Sequence, residues 1–136
     1  MRSFGIGIDV IEIERIEEAI GEFDQHFLDR IFTKSEQEYC GKQSRPVIHY
    51  AARWAAKEAV SKALGTGIGK DLHWTDVEVL RRESGEPGIS LSGVAKDFAD
   101  RHGVAEIKIS LTHAKHYAAA NAVALVGEDS SLKGSG

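Results

Sequence analysis

Glu58 and Lys62 form the residue pair in this sequence whose types and spacing could perform chemistry. They are separated by four positions, so on a helix their side chains are neighbours on one face. One interpretation is a surface ion pair, worth about 0.3–0.5 kcal/mol. The other places both beside the edge of an apolar stripe, where a partly buried carboxylate and ammonium group suit metal or phosphate chemistry. The pattern alone leaves both open.

Asp9 is a carboxylate within an apolar stretch, which indicates either a solvated strand end or a site that holds a cation. One Asp and one Glu are what Mg²⁺ usually takes from a protein, since it keeps several waters and completes its coordination with phosphate oxygens. Asp9 and Glu58 are therefore candidate magnesium ligands. His113 follows a probable strand, so it is either a site residue at that strand's end or an ordinary polar residue that finishes it.

Arg53 and Lys57 lie on the opposite margin of the same helix stripe. Each could reach a ligand phosphate or only keep the helix soluble, and the pattern favours neither alternative.

A glycine-rich loop at residues 65–69 follows this helix, and its glycines can adopt positive φ and let a ligand approach the backbone. It is not a Walker A loop, because Asp71 stands where that motif needs Ser or Thr. It is not a dinucleotide-binding fingerprint either, since it follows a helix instead of joining a strand to one. The G-x-S-x-G and H-E-x-x-H signatures of hydrolases and metalloproteases are also missing from the sequence.

Length, charge and cysteine content exclude several protein classes. The chain has 136 residues, 42% hydrophobic and 28% charged, which is typical of one ordinary globular domain. A net charge of −4 without a long basic run predicts no nucleic-acid partner. Cys40 is the sole cysteine, which excludes an internal disulfide and fits a reducing compartment. Without a signal peptide or an apolar run of about 20 residues, we expect a cytoplasmic protein with no membrane partner.

The elements that must position the candidate residues follow from hydrophobic periodicity. Alternation predicts a strand over 4–13 whose end carries Asp9, followed by a helix whose apolar stripe extends to Phe23. A capping box at Thr33 and Glu36 predicts a short helix toward Gly41. The strongest helix prediction spans 46–64, opened by a proline, closed by a glycine and lined with alanines.

The second half of the chain is predicted to add strands and one more helix. The predicted elements are strands over 76–82, 105–112 and 117–126, a turn over 85–88, and a helix over 93–102 capped by Ser92. We expect a single α+β domain over residues 1–126, followed by a flexible polar tail, in part an expression remnant, over 127–136.

A family signal lies in four blocks that span nearly the whole chain up to this tail. The blocks are GIGIDVIEIERI (5–16), FLDRIFTKSEQEY (27–39), ARWAAKEAVSKALGTGIG (52–69) and ISLTHAKHYAAANAVAL (109–125). The third is the most specific, because it combines W-A-x-K-E-A-x-x-K-A with the glycine loop. Through these blocks the sequence resembles the holo-acyl-carrier-protein synthase group of 4′-phosphopantetheinyl transferases.

The resemblance implies an activity, a cofactor and an assembly. The family transfers 4′-phosphopantetheine from coenzyme A (CoA) to a serine of apo acyl carrier protein, releases adenosine 3′,5′-bisphosphate and supports fatty acid biosynthesis. It requires Mg²⁺, for which Mn²⁺ can substitute. Its members are compact, with an antiparallel sheet packed with a long central helix, and form homotrimers with CoA bound between subunits.

The resemblance also implies residue roles. Asp9 and Glu58 occupy the metal-ligand positions and Lys62 the position of the catalytic lysine. Glu58, directly or through a metal-bound water, is the candidate base for the carrier serine, and Lys62 would offset charge on the leaving phosphate. His113 falls on the S-x-S-H motif, in which Thr112 replaces the second serine. The implied CoA-binding residues are Arg45, Arg53, Lys62, Gly65, Gly67, Pro87 and His113.

Carrier-protein docking is assigned to Arg15, at the family position on the first helix, and to Arg30. Five acidic residues near Arg15 should weaken long-range steering of an acidic carrier: Glu12, Glu14, Glu17, Glu18 and Glu22.

Two other functions stay open, a Mg²⁺-dependent nucleotide or CoA pyrophosphatase and a non-catalytic CoA-binding or scaffold subunit.

Overall fold

The computed structural model describes residues 2–127. The helices are α1 (Ile13–Ile31), α2 (Lys34–Gly41), α3 (Pro46–Leu64) and α4 (Gly93–Arg101), and a short 3-10 turn covers Trp74–Asp76. The strands are β1 (Arg2–Glu12), β2 (Val77–Arg81), β3 (Pro87–Leu91), β4 (Val104–His113) and β5 (Tyr117–Val126). Apart from Gly127, the tail predicted to be flexible lies outside the described residues. No helix among residues 2–127 has the length and apolarity needed to cross a membrane.

The strands form two antiparallel sheets around α3. One has three strands in the order β1-β5-β4, and the other is the β2-β3 pair. The core between α3 and the larger sheet consists mainly of small side chains, which permit close packing: Ala55, Ala59, Ala63, Ala120, Ala122 and Ala124. This arrangement confirms the expected α+β fold, an antiparallel sheet packed on a long central helix.

Two glycines of β1 bring the strand onto the backbone of α3. A Cβ atom at Gly5 would overlap the carbonyl oxygen of Ala63, and one at Gly7 would overlap the carbonyl oxygen of Ala59. Only glycine is compatible with this approach. As a result Asp9, two residues further along the same face of β1, is held over the last turns of α3.

The first strand is close to its prediction, and the first helix is longer than predicted. β1 begins two residues before the strand predicted over 4–13 and ends one residue before that strand's end, and Asp9 lies inside it, paired with β5. The helix α1 continues beyond Phe23 to Ile31, across a non-helical residue at Asp24 with φ 47° and ψ −128°. The apolar stripe that ends at Phe23 does not predict the residues after it. The non-helical backbone at Asp24 interrupts the helical periodicity at that point.

The capping predictions have different outcomes. The box at the start of α2 is confirmed, since Thr33 N donates to Glu36 Oε1 at 2.8 Å and Glu36 N donates to Thr33 Oγ1 at 3.3 Å. Ser92 is the N-cap residue of α4, as predicted, but its side chain makes no capping hydrogen bond with the described residues. Instead Ala95 N donates to Asp76 Oδ2 at 3.3 Å, so the acceptor at the start of α4 is a residue that is distant in sequence.

Strand β3 was missed because its first two residues are turn formers. The sequence predicts a turn over 85–88, but Pro87 and Gly88 already pair with Arg81 and Leu80 of β2. A proline costs little at the first residue of an edge strand, where its missing N–H removes no ladder hydrogen bond.

Candidate active site

Asp9, Glu58 and Lys62 come together where β1 crosses α3. Lys62 Nζ donates to the carbonyl oxygen of Ile8 at 2.9 Å and lies 3.2 Å from Asp9 Oδ1. The Asp9 side chain is 16% exposed and that of Lys62 is 51% exposed. In the described part of the chain Glu58 and Lys62 form no ion pair, so the surface pair that their spacing allowed is not what the structure contains.

Glu58 is half-buried on α3 and has an altered acidity. Burial raises the pKa of its carboxyl group, the Asp9 carboxylate raises it further, and Lys62 lowers it. The two carboxylates are therefore close enough to repel each other, and a cation between them would relieve that repulsion. A carboxyl group with a raised pKa is also better suited to accept a proton than an ordinary one.

The donor set of this site fits a hard divalent cation. Asp9 and Glu58 supply only oxygen atoms, and among residues 2–127 no group of three or more His, Cys, Asp and Glu side chains is placed to hold a metal ion. A cation held here would need water or substrate oxygens for its remaining positions. Mg²⁺ is commonly bound in this way, through one or two carboxylates plus phosphate oxygens.

A second feature is a cavity of about 320 Å³, here called the cationic pocket, which lies where α2, α3, β2, β3 and β4 meet. It brings together three of the predicted CoA-binding residues, Arg53, Pro87 and His113. His49 and Arg81 line it as well and were missed by sequence reasoning, because they belong to different elements and no motif connects them. The remaining lining residues are Tyr39, Ala52, Ser110, Leu111 and Thr112.

Arg53 lies at the base of the cationic pocket and is only 5% exposed. Its Cζ atom lies 4.3 Å from the centroid of the Tyr39 ring, a cation–π contact. Its Nε atom is buried and has no hydrogen-bond partner among the described residues. Arg53 is therefore held by stacking, with a donor left for another molecule.

Arg45, also predicted to bind CoA, lies in a different depression. This cavity of about 370 Å³ is bounded by Glu17, Ile20, Pro46, Val47 and Tyr50. Within one chain Arg45 and Arg53 thus line separate cavities, and a shared role in CoA binding stays a prediction.

The glycine loop after α3 uses its amides to end the helix. Gly65 N donates to Lys62 O at 3.1 Å and Gly67 N donates to Ser61 O at 3.3 Å, with φ values of 79° and 64°. These two amides are therefore already occupied. The space outside both Cα atoms is open, with no described atom within 4 Å of a Cβ placed there, so Gly65 and Gly67 stay predicted CoA contacts through close approach alone.

The sequence allowed Lys57 either to reach a ligand phosphate or to keep the helix soluble, and the structure shows neither. Its side chain is wholly buried, and Nζ donates to Glu36 Oε1 at 2.7 Å, to Ile31 O at 2.9 Å and to Trp74 O at 3.0 Å. Burial lowers the pKa of Lys57, and Glu36 opposes that shift. It is a structural cation, and the sequence identified its partner Glu36 only as a local cap.

The two docking candidates, Arg15 and Arg30, are both exposed on α1. On the same helix Glu14 Oε1 lies 2.6 Å from His116 Nδ1, and this hydrogen bond lowers the pKa of Glu14. Phe23 is also exposed. The helix thus presents charges of both signs and an aromatic ring to a partner, and the docking roles stay predictions.

Residues 5–122 match the sequence profile of the 4′-phosphopantetheinyl transferase superfamily. The chain belongs to this superfamily. A holo-(acyl-carrier-protein) synthase of Ruminiclostridium cellulolyticum is 46% identical over 124 residues, which cover 90% of this chain and 92% of the relative. The resemblance seen in the four sequence blocks is thereby confirmed, and this superfamily member is an enzyme of a transferase family.

Solved structures agree with the fold of this superfamily member. The crystal structure of the holo-(acyl-carrier-protein) synthase from Neisseria meningitidis superposes with a TM-score of 0.85 at 28% identity, covering 90% of this chain and 98% of that one. The Helicobacter pylori synthase, crystallised in complex with coenzyme A, gives a TM-score of 0.78 at 35% identity, covering 88% and 99%.

Proposed function

We propose that this protein transfers 4′-phosphopantetheine from CoA to a serine of an apo acyl carrier protein, with Mg²⁺, and so supplies fatty acid biosynthesis. The observation that carries the proposal is the meeting of Asp9, Glu58 and Lys62 where β1 crosses α3. A relative crystallised with coenzyme A supports the choice of donor.

The proposed reaction is a phosphoryl-type displacement. The serine oxygen bonds to the phosphorus that carries pantetheine, and the bridging P–O bond of the pyrophosphate breaks. Adenosine 3′,5′-bisphosphate leaves with the electron pair, and the serine proton passes to a base. Such a reaction depends mostly on positioning the reactants and on stabilising charge.

The proposed metal site consists of the Asp9 and Glu58 carboxylates. Asp9 and Glu58 would hold Mg²⁺, which when bound neutralises charge on the pyrophosphate oxygens. Burial and the negative charge of Asp9 both raise the pKa of Glu58, and the repulsion between the two carboxylates supports a cation at this position.

Proton transfer and leaving-group stabilisation fall to the two side chains on α3. Glu58 is the proposed acceptor of the serine proton, directly or through a water molecule. Lys62 is anchored to β1 by Ile8 and Asp9 while half of its side chain stays exposed. Its charge is thus fixed at the site and accessible to the departing phosphate.

CoA binding is assigned to the cationic pocket together with the loop after α3. Arg53 provides a positive charge, His113 provides an imidazole that can hydrogen-bond to a phosphate, and Pro87 provides an apolar surface beside them. The pocket lining contains none of the three catalytic candidates, so one chain offers CoA two separate half-sites. Arg45, Gly65 and Gly67 keep their predicted roles in this proposal.

A homotrimer would join such half-sites between chains. The outer face of β1 exposes three aliphatic side chains in a row, with Ile6 at 74%, Ile8 at 66% and Val10 at 57%. A contiguous apolar face of this kind is typical of an interface.

A cytoplasmic location belongs to the same proposal, since the buried free thiol of Cys40 suits a reducing compartment.

The test incubates the protein with CoA, Mg²⁺ and an apo acyl carrier protein and follows the intact mass of the carrier. We expect a gain of one phosphopantetheine group, its loss when the metal is chelated, and its loss in Glu58→Gln. The exposed Asp97→Asn on α4 is the matched control. Cleavage of CoA at the same rate without carrier would instead identify a pyrophosphatase. If the carrier mass does not change and CoA stays intact, the protein is a non-catalytic CoA-binding subunit.

A further inference from the structure

We propose that His49 is a specificity-determining residue of the cationic pocket, where it favours ligands that carry a phosphomonoester over the same ligands without one. The inference rests on the proposed function, which makes CoA, with its 3′-phosphomonoester, the ligand. His49 is not among the residues that the sequence assigned to CoA.

The lining of the cationic pocket has an unbalanced charge. Arg53 and Arg81 are permanently cationic, His49 and His113 can acquire a positive charge, and none of the lining residues is a carboxylate. In the described part of the chain neither arginine forms an ion pair. Such a cavity is complementary to a small dianion, because arginine pairs and protonated imidazoles bind phosphate oxygens through charge-assisted hydrogen bonds.

The buried donor of Arg53 supports a ligand at this place. Buried N–H groups are nearly always paired, yet Arg53 Nε has no partner among residues 2–127. The guanidinium is kept in position by the Tyr39 ring, and Arg81 Cζ lies 5.6 Å from the centroid of that same ring. Tyr39 therefore presents two guanidinium groups to the pocket without neutralising either of them.

His49 lies one helical turn before Arg53 on α3, so both side chains are on the same face. Its ring is edge-on to Tyr39, with 5.8 Å between ring centroids. Burial lowers the pKa of His49, and the positive charges of Arg53, His113 and Arg81 lower it further. These groups and Tyr39 are what faces His49 from α2, α3, β2 and β4, and no carboxylate is among them.

This environment makes the charge of His49 depend on the ligand. Without a ligand its pKa lies below the ordinary histidine value, so the ring is neutral at neutral pH. A phosphate dianion in the pocket reverses the local potential, raises that pKa and lets the ring take up a proton. Ligands that lack the phosphomonoester cannot recruit this additional cation, and the preference should weaken as the pH rises.

The test compares CoA with dephospho-CoA, which differ only in the 3′-phosphate. Kd is measured for both by titration calorimetry between about pH 6 and pH 8.5, in two buffers of different ionisation enthalpy. The wild-type protein is expected to take up protons with CoA only, and its preference for CoA should fall with rising pH. His49→Gln, which keeps a polar side chain but cannot be protonated, should show about tenfold less preference near pH 6 and a smaller change of that preference with pH than the wild-type protein. The exposed His26→Gln on α1 is the matched control.

Either of two results would overturn the inference. One is an unchanged CoA preference and proton uptake in His49→Gln. The other is proton uptake that persists in His49→Gln and disappears in His113→Asn, because the titrating group would then be His113. The proposed function is tested separately by transfer to the carrier, since these affinities require no turnover.

Discussion

Lys57 Nζ lies 2.7 Å from Glu36 Oε1, and both side chains are wholly buried. Glu36 also accepts from Thr33 N at 2.8 Å and from Val79 N at 2.7 Å, while Lys57 donates to carbonyl oxygens at the end of α1 and in the 3-10 turn. One ion pair thus connects α1, α2, α3 and β2. Lys57 directly precedes Glu58 in the sequence, but its side chain is buried in the protein interior.

Replacing Lys57 by Met is expected to destabilise the protein by about 3–5 kcal/mol, because the substitution leaves the Glu36 carboxylate buried without its cation. The free energy of unfolding, measured by urea denaturation, checks this value. The control is Lys42→Met, on an exposed lysine just after α2, which should change stability by no more than about 0.5 kcal/mol. Equal stability of the two variants would contradict a structural role for Lys57.

Glu58→Gln is expected to raise the melting temperature at neutral pH while it abolishes transfer. The native pKa of Glu58 is raised above its unfolded value, so the native state binds more protons in that window and stability falls as the pH rises through it. A neutral side chain removes this cost. The stability gain should therefore disappear on acidification to below the unfolded pKa of about 4.5.

Calorimetry with and without Mg²⁺ checks the same variant in a second way. Mg²⁺ should raise the melting temperature of the wild-type protein, because a ligand that binds the native state stabilises it, and should have little effect on Glu58→Gln. An equal metal-dependent gain in both proteins would remove Glu58 from the metal site.

Gly7→Ala is expected to destabilise the fold and to reduce transfer, since the added methyl group would overlap Ala59 O and approach Lys62 Cβ. Thermal unfolding and carrier mass are the two measurements. Gly21→Ala on α1 is the matched control, because no atom of another described segment lies within 4 Å of a Cβ placed there and alanine should stabilise a helix there by about 0.5–1 kcal/mol. A Gly7→Ala protein as stable and active as the control would contradict the close contact between β1 and α3.

Ile6→Lys is expected to separate the subunits of the proposed homotrimer, because it places a charge on the exposed apolar face of β1, at the most exposed of its three aliphatic residues. Sedimentation should give the mass of a single chain, with circular dichroism unchanged. The control is Val94→Lys, on an exposed apolar residue of α4, which should keep the wild-type mass. A wild-type protein that sediments as a monomer would exclude the trimer directly.

Local signals predicted the fold well, and contacts between distant segments explain where they did not. The bounds of α3 followed from Pro46, the alanine face and Gly65, all of which act within one helix. The hydrogen bond from Ala95 N to Asp76 at the start of α4 was not predicted, and the turn predicted over 85–88 was wrong at Pro87 and Gly88, because Asp76 and the strand that pairs with Pro87 belong to other segments.

For the site, family motifs predicted Asp9, Glu58 and Lys62, and the structure brings them together. The burial of Lys57 and the place of His49 in the cationic pocket were not predictable, since both depend on how α2 and β2 pack against α3. A helical wheel shows which residues share a face and does not show what covers that face.

Gly5 and Gly7 let the backbone of β1 contact the carbonyl groups of α3 directly. This contact limits changes in the distance between β1 and α3, and so between the candidate site residues that they carry. Where side chains separate a strand from a helix, each core substitution changes the spacing of the two layers. Here main-chain van der Waals radii set that spacing, and substitutions elsewhere in the core leave those radii unaltered. The position of Asp9 relative to α3 should therefore depend less on the identity of the remaining core side chains than it would if side chains separated the two layers.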